Sequence, residues 1–248
     1  MSDVAVERDE HGNILTDFEF ERADKNLMLA YIGFGFVAVF LGGLAGLLQL
    51  MQRSGWITLP DWLTYYQLLT AHGVLLVLVF TTFFIMGYLF SGMARTLEGK
   101  LTDVARKLGW IGFYFMAIGA IIATVLILMN EGTVLYTFYT PMAASPWFYI
   151  GLSLLIVGSW FGSAGLIAQY VRWRKKNKGK SSPLFAYMTI ATIILWLHAS
   201  LAVAVSVVFL IIPWAFEWVE RINVSLTRTL FWYFGHALVY FWLLPAYI

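Results

Sequence analysis

Residues 231–248, FWYFGHALVYFWLLPAYI, place one histidine and three tyrosines in an otherwise apolar stretch. His236 and Tyr240 are four residues apart, so on a helix they share one face, one turn apart. Tyr247 follows three turns after His236 on that face. Neutral imidazole is a favoured ligand of haem iron and copper. The stripe formed by His236, Tyr240 and Tyr247 therefore predicts a redox centre at the histidine, with a proton path along the two tyrosines. An aromatic packing stripe explains Tyr247 about as well.

Two other histidines lie in apolar segments. His72, in YYQLLTAHGVLLVLVF, is followed by Gly73, whose missing side chain would let a flat macrocycle approach the backbone. His72 and His236 lie at similar depths, about 10–14 Å from the outer membrane surface where their helices enter the bilayer. The two imidazoles could therefore bind redox cofactors at one depth in the membrane. The alternative for each is a histidine hydrogen-bonded to a neighbouring helix. That alternative is the favoured interpretation of His198, which has no tyrosine or carboxylate three or four residues later.

The elements that must position these residues follow from composition. The 248 residues are 60% hydrophobic and 12% charged, and the apolar residues form blocks of the roughly 20 residues that a bilayer span requires. Backbone groups in lipid must be hydrogen-bonded within their own segment, so the blocks predict helices. The predicted fold is an all-α polytopic transmembrane bundle with six spans: 27–52, 66–94, 108–130, 145–172, 184–213 and 227–248.

Charge predicts the orientation of the bundle. Lys and Arg concentrate before the first span, between the second and third, and in RWRKKNKGKSSP at 172–183. The positive-inside rule then places the N-terminus in the cytoplasm. Residues 1–26 are expected to form a cytoplasmic arm containing a solvated His11, with Asp24 as the cap of the first helix, and residues 27–248 the bundle. The net charge of +2 gives no reason to expect nucleic-acid binding, and the lack of cysteine excludes disulfides and thiolate metal centres within this chain.

The sequence resembles subunit I of the haem-copper oxygen reductases, most closely their B family, which includes ba-type cytochrome c oxidases. Four segments carry the resemblance, in the family's order: YYQLLTAHGVL (65–75), NEGTVLYTFYTP (130–141), SPLFAYM (182–188) and TRTLFWYFGHALVYFWLLPAYI (227–248). It extends from about residue 25 to the end. It implies the N-terminal half of a bundle of at least twelve helices in a prokaryotic plasma membrane. The sixth span ends at PAYI without the Lys or Arg expected at a cytoplasmic exit, so we expect a truncated or split subunit I.

The resemblance also implies residue roles. His72 would be an axial ligand of a low-spin haem b, and His236 one of three histidines that bind the active-site copper. Tyr240 would be the tyrosine that the family joins covalently to that histidine, where it supplies an electron and a proton for cleavage of the O–O bond. Tyr247 would lie on the proton-uptake route from the cytoplasm.

Further positions resemble the family less completely. Arg228 and Trp232 resemble positions near the haem edge. Ala237 stands where the family usually has a proline directly after the copper histidine, and a proline there would bend the helix. The two remaining copper histidines, the ligand of a high-spin haem and the second ligand of the low-spin haem belong to family helices beyond residue 248.

The expected activity is reduction of O2 to water by a terminal respiratory oxidase, coupled to proton uptake or translocation. The expected partners are subunit II with a copper dimer, cytochrome c or a small copper protein as donor, the remainder of subunit I or a second chain, and the lipid bilayer. Nitric oxide reductases of the same superfamily are an alternative, but they lack a tyrosine at the Tyr240 position. A non-catalytic membrane scaffold or transporter is the other alternative. A di-haem cytochrome b would need two histidines on each of two helices.

Overall fold

The computed structural model describes residues 19–247, and within that range the chain consists of helices and their connecting loops. Six long helices follow one another, and a short 3₁₀ turn, Leu244–Tyr247, follows the last. We number them in chain order: α1 Arg22–Arg53, α2 Tyr65–Thr96, α3 Asp103–Leu128, α4 Pro146–Lys176, α5 Leu184–Ala215 and α6 Val224–Leu243.

The six helices correspond to the six predicted spans. The helices α1 to α5 are long and apolar enough to cross a bilayer, and the 20-residue α6 packs along α5. In the apolar 18-residue stretch of α2, 67% is buried inside the bundle, whereas the buried share of the corresponding stretch of α1 is 33%. The helix that carries His72 therefore lies inside the bundle, whereas α1 covers one side of it. These features confirm an all-helical membrane bundle.

Loop contacts show that successive helices alternate in direction. At one end, the Gln169 amide of α4 accepts a hydrogen bond from Thr102 N at 2.7 Å and donates one to Lys100 O at 2.9 Å, both in the α2–α3 loop. At the opposite end, Gln67 in the first turn of α2 donates to Leu128 O, the last residue of α3, at 2.8 Å. We call the first end, which carries the start of α1 and the loops 97–102 and 177–183, the basic end.

Asp24 is not the cap of the first helix. The helix α1 begins two residues earlier, at Arg22, and the Asp24 carboxylate is fully buried. It accepts hydrogen bonds from Arg106 Nε at 2.7 Å and from Leu101 N at 2.9 Å. The side chain thus binds α1 to the α2–α3 loop and the start of α3. Residues 1–18 of the predicted arm, with His11, lie outside the described residues.

The start of α2 is fixed by a reciprocal cap. Thr64 Oγ1 accepts from Gln67 N at 3.2 Å, and Gln67 Oε1 accepts from Thr64 N at 2.7 Å, which satisfies two backbone donors at this end of the helix. His72 follows eight residues after Thr64. A π-helical segment, Val74–Phe80, begins directly after Gly73. Such wide turns are frequent at functional sites, and this one changes the rotation of the rest of α2 relative to His72.

The helices α3 and α4 form the most extensive contact in the bundle. Glycines let their backbones meet: a Cβ atom on Gly119 would lie 2.4 Å from Gly151 O, and one on Gly112 would lie 2.6 Å from Gly158 O. Small residues at such crossings are how membrane helices approach closely without an aqueous driving force. This rigid pair holds the two ends of the loop 129–145.

Candidate redox site

The imidazole of His72 is held by the backbone of α1. Its Nδ1 atom lies 2.9 Å from the carbonyl oxygen of Gly42. A carbonyl oxygen only accepts hydrogen bonds, so Nδ1 carries the proton and the lone pair resides on Nε2. A metal-ligating histidine characteristically donates its other ring nitrogen to a carbonyl or carboxylate in this way. The residue therefore fits the role of a haem-iron ligand through Nε2.

Two glycines allow close approaches at and beside this imidazole. A Cβ atom on Gly46, one turn after Gly42 on α1, would lie 2.5 Å from His72 Nδ1. A Cβ atom on Gly73 would lie 2.9 Å from the Cβ of Tyr136, in the α3–α4 loop. The ring thus occupies space that a side chain on α1 would fill, and its orientation is set by the close approach of α1 and α2.

His236 and Tyr240 lie side by side on α6. Their ring centroids are 5.0 Å apart, with the planes at 67°. His236 is exposed, and Tyr240 is 48% exposed, on a face of α6 that the other five helices leave uncovered. The helix continues unbroken through Ala237, as expected without a proline there.

The uncovered face limits what His236 can do within this chain. Among residues 19–247, no three His, Cys, Asp or Glu side chains come together as a possible metal site. A metal bound by His236 would therefore need further ligands from outside residues 19–247. The phenol of Tyr240 stands beside the imidazole, where it could exchange a proton and an electron with a bound metal centre.

The α3–α4 loop connects α2, which carries His72, with α6, which carries His236. Near His72, Leu135 N donates to Thr70 Oγ1 at 3.1 Å. At the start of α6, the Thr140 and Thr227 hydroxyls are hydrogen-bonded at 2.7 Å and buried. The segment NEGTVLYTFYTP therefore contacts α2 beside His72, and it contacts α6 at Thr227, nine residues before His236.

Arg228 and Trp232 meet the same loop at Tyr139. The Arg228 guanidinium lies 5.0 Å from the centre of the Tyr139 ring, within cation–π range. The Trp232 ring centroid is 6.4 Å from that of Tyr139. Partial burial raises the pKa of Tyr139 above its ordinary value. These three side chains form an aromatic and cationic cluster at the entry of α6.

Two other predicted residues lie apart from these groups. The ring nitrogen Nε2 of His198 on α5 is hydrogen-bonded to the Tyr233 hydroxyl on α6, which agrees with the interpretation of His198 as a histidine bonded to a neighbouring helix. Tyr247 lies in the 3₁₀ turn after α6 and is 75% exposed. It is therefore open to the surroundings at the basic end of the bundle.

An apolar cavity of about 280 Å³ lies between α4 and α5 and borders α6. Its wall includes Trp160, Trp196 and Phe234, and Phe234 precedes His236 by two residues. The hydroxyls of Ser159 and Ser200 accept the indole N–H groups of Trp196 and Trp160, each at 2.8 Å. With these donors satisfied, the cavity presents apolar surface and suits a small apolar molecule.

The sequence matches the family described as Cytochrome C and Quinol oxidase polypeptide I over residues 26–248. The chain belongs to this family. Cytochrome c oxidase subunit 1 of Thermus thermophilus is 36% identical over 231 residues, which are 90% of this chain and 41% of the relative. A solved heme-copper terminal oxidase dimer has a TM-score of 0.86 and 38% identity, covering 92% of this chain and 39% of that chain. The chain thus spans about two fifths of the length of the relatives it matches.

Membership of the Cytochrome C and Quinol oxidase polypeptide I family confirms the resemblance drawn from the four sequence segments, and it implies haem and copper as cofactors. Sequence reasoning missed the contribution of α1, where Gly42 and Gly46 hold His72. Their spacing of four residues, on one helix face, is the signal that could have found it. It also missed the α3–α4 loop as the connection between α2 and α6, because nothing in the segment 130–141 predicts its contacts.

Proposed function

We propose that this chain is the N-terminal part of the catalytic subunit of a terminal respiratory oxidase that reduces O2 to water. The observation that carries the proposal is the placement of Tyr240 against His236, at a ring-centroid distance of 5.0 Å. A phenol in contact with a copper-ligating imidazole suits the reduction of O2, and by resemblance nitric oxide reductases lack it. Family membership and the relatives named above support the same conclusion.

The haems and copper, when bound, would supply electrons to O2, and the residues of this chain would hold and serve them. His72 would be an axial ligand of a low-spin haem b, its Nε2 aimed by the hydrogen bond from Nδ1 to Gly42. His236 would be one ligand of the active-site copper, near a high-spin haem. Tyr240 would donate a proton and an electron from its phenol.

The flanking residues would have supporting roles. Arg228, held over the ring of Tyr139, presents a guanidinium suited to carboxylate groups at a haem edge, and Trp232 would pack beside it. Tyr247, exposed at the basic end, would accept protons on the way to Tyr240. The apolar cavity next to Phe234 suits dissolved O2, an apolar molecule that partitions into such space.

We infer the surroundings of this subunit from the same features. The uncovered face of α6 would pack against further helices that supply the remaining ligands. Lys and Arg at the basic end would place that end and the N-terminus in the cytoplasm of a prokaryote, with the bundle in the plasma membrane. Electrons would come from cytochrome c or a small copper protein through a subunit II with a copper dimer.

Turnover by the full-length complex tests the function. Tyr240→Phe should lower O2 uptake by at least about a hundredfold while the low-spin haem absorption band is retained, because only the reacting hydroxyl is lost. Tyr233→Phe is a matched control, since Tyr233 is on the same helix and 50% exposed against 48% for Tyr240. Nitric oxide turnover without O2 uptake would favour the reductase alternative, and a preparation without haem absorption would favour a scaffold or transporter.

A further inference from the structure

At the basic end, two of the recesses lined by residues 19–247 differ in charge. The first contains three carboxylates and three cations, so its charges balance: Glu21, Glu98, Asp103, Lys100, Arg106 and Arg172. The second is an open groove of about 390 Å³ at the end of α4. No carboxylate among residues 19–247 lines it, and its residues are Tyr170, Val171, Arg174, Lys175, Lys178 and Gly179.

In the part of the chain that the structure describes, the cations of this groove have no carboxylate partner. Lys176, between them in sequence, is neutralised by Glu98 at 3.0 Å and points to the first recess. Within residues 19–247, Lys175 and Lys178 make no ion pair, and both are exposed. The Arg174 guanidinium donates to the carbonyl of Lys180, which leaves its positive charge uncompensated. Three uncompensated cations around one groove favour an anion.

The groove is built on an ordered turn rather than a loose tail. Asn177 Nδ2 donates to Trp173 O at 3.0 Å, and Lys180 N donates to Asn177 O at 3.2 Å. Gly179 has a φ of +84°, a conformation that glycine adopts without strain and that lets the chain reverse here. The turn therefore holds Lys178 and Arg174 on the same side of the end of α4.

The apolar side of the groove faces the membrane. Val171 is 41% exposed where α4 leaves its apolar span, and the rings of Tyr170 and Trp173 are stacked with centroids 6.4 Å apart. Tyrosine and tryptophan are enriched at this depth of a bilayer. The Tyr170 hydroxyl is hydrogen-bonded at 2.7 Å to Ser182, and Leu184, two residues later, is 69% exposed. Cations thus lie directly next to a surface that acyl chains can cover.

We propose that this groove binds the headgroup of an anionic phospholipid, with the phosphodiester at Arg174, Lys175 and Lys178. The acyl chains would lie along Val171 and the exposed apolar face below it. A phospholipid is favoured over a soluble phosphate because the groove opens at the boundary between cations and apolar surface. The site is separate from the histidines of α2 and α6, and it does not depend on the reaction.

Lipid selectivity of the full-length complex tests the proposal. The complex is reconstituted in phosphatidylcholine vesicles with a trace of spin-labelled phosphatidylglycerol or spin-labelled phosphatidylcholine, and the relative association constant is measured. Wild-type protein should prefer phosphatidylglycerol by about fivefold or more, and Lys175→Gln/Lys178→Gln should lose most of that preference. Adding Arg174→Gln should abolish the remainder, with the haem spectrum checking that each variant is folded.

A matched control separates this site from general charge. Lys25→Gln/Lys107→Gln removes two exposed lysines from the same end, outside the groove, and should retain the preference. Unchanged selectivity in Lys175→Gln/Lys178→Gln would overturn the proposal, as would an equal loss in the control. Displacement of the labelled lipid by millimolar inorganic phosphate at constant ionic strength would show a soluble-anion site and overturn the assignment to a phospholipid.

Discussion

The carbonyl oxygen of Gly42 accepts a hydrogen bond of 2.9 Å from Nδ1 of His72. This contact joins α1 to α2 and fixes the imidazole tautomer, so Nε2 holds the lone pair that a metal requires. The orientation of the proposed haem ligand therefore depends on a helix that contributes no metal-binding side chain.

Substitution at Gly46 should disturb the low-spin haem. A methyl group in Gly46→Ala would lie 2.5 Å from His72 Nδ1, so the ring must move away from its present orientation. We expect a reduced or shifted low-spin haem absorption band in the full-length complex. Gly43→Ala is the control, since a Cβ atom there has nothing within 4 Å. An unchanged spectrum in Gly46→Ala would contradict the role of this close approach.

The hydroxyl pair between Thr140 and Thr227 should couple the α3–α4 loop to α6. Thr227→Val leaves the buried Thr140 hydroxyl without this partner and should lower the free energy of unfolding by about 1–2 kcal/mol. Thr140→Val/Thr227→Val removes both hydroxyls and should be close to wild type in thermal denaturation of the purified complex. Thr140→Val alone completes the cycle, and a double variant that shows the sum of the two single effects would mean that the pair is not coupled.

Loss of the Asp24 carboxylate should destabilise the basic end. Asp24 is fully buried, lies 2.7 Å from Arg106 Nε and accepts a hydrogen bond from Leu101 N at 2.9 Å, so its removal leaves a buried donor unpaired, which costs about 1–3 kcal/mol. Asp24→Ala should therefore lower the denaturation temperature strongly. Asp103→Ala removes a side chain that is 86% exposed and 3.2 Å from the same arginine, and should cost less than about 1 kcal/mol. Equal effects of the two substitutions would refute the importance of burial.

A side chain at Gly119 should separate α3 from α4. The Cβ atom of Gly119→Ala would lie 2.4 Å from Gly151 O, a backbone atom that cannot rotate away. Overpacking costs about 1–3 kcal/mol, and we expect the upper end of that range in the unfolding free energy. Gly33→Ala, with open space around its Cβ position, should have little effect. If both variants unfolded alike, helix propensity rather than packing would explain the result.

The helical spans could be predicted from sequence because each is a local apolar block that must satisfy its own backbone. Contacts between distant residues could not. In the sequence, Asp24 is a polar residue next to an apolar segment, a pattern that predicts a helix cap. Its actual partner, Arg106, lies 82 residues away and cannot be inferred from that local pattern. The proximity of His236 and Tyr240 follows from a spacing of four residues, whereas the hydrogen bond of His72 to Gly42 depends on how α1 and α2 pack. Sequence therefore indicated the chemical groups and missed the backbone atoms that orient them.

The position of Gly42, Gly46 and His72 in the first two helices bears on biosynthesis. A ribosome makes all three residues before any part of α3, so the orientation of His72 requires only that α1 and α2 have entered the membrane and paired. The contact of Tyr136 with Gly73 forms later, and His236 emerges last of these groups. The side of the bundle with the proposed haem ligand His72 would thus take shape during translation, well before the side with the proposed copper ligand His236.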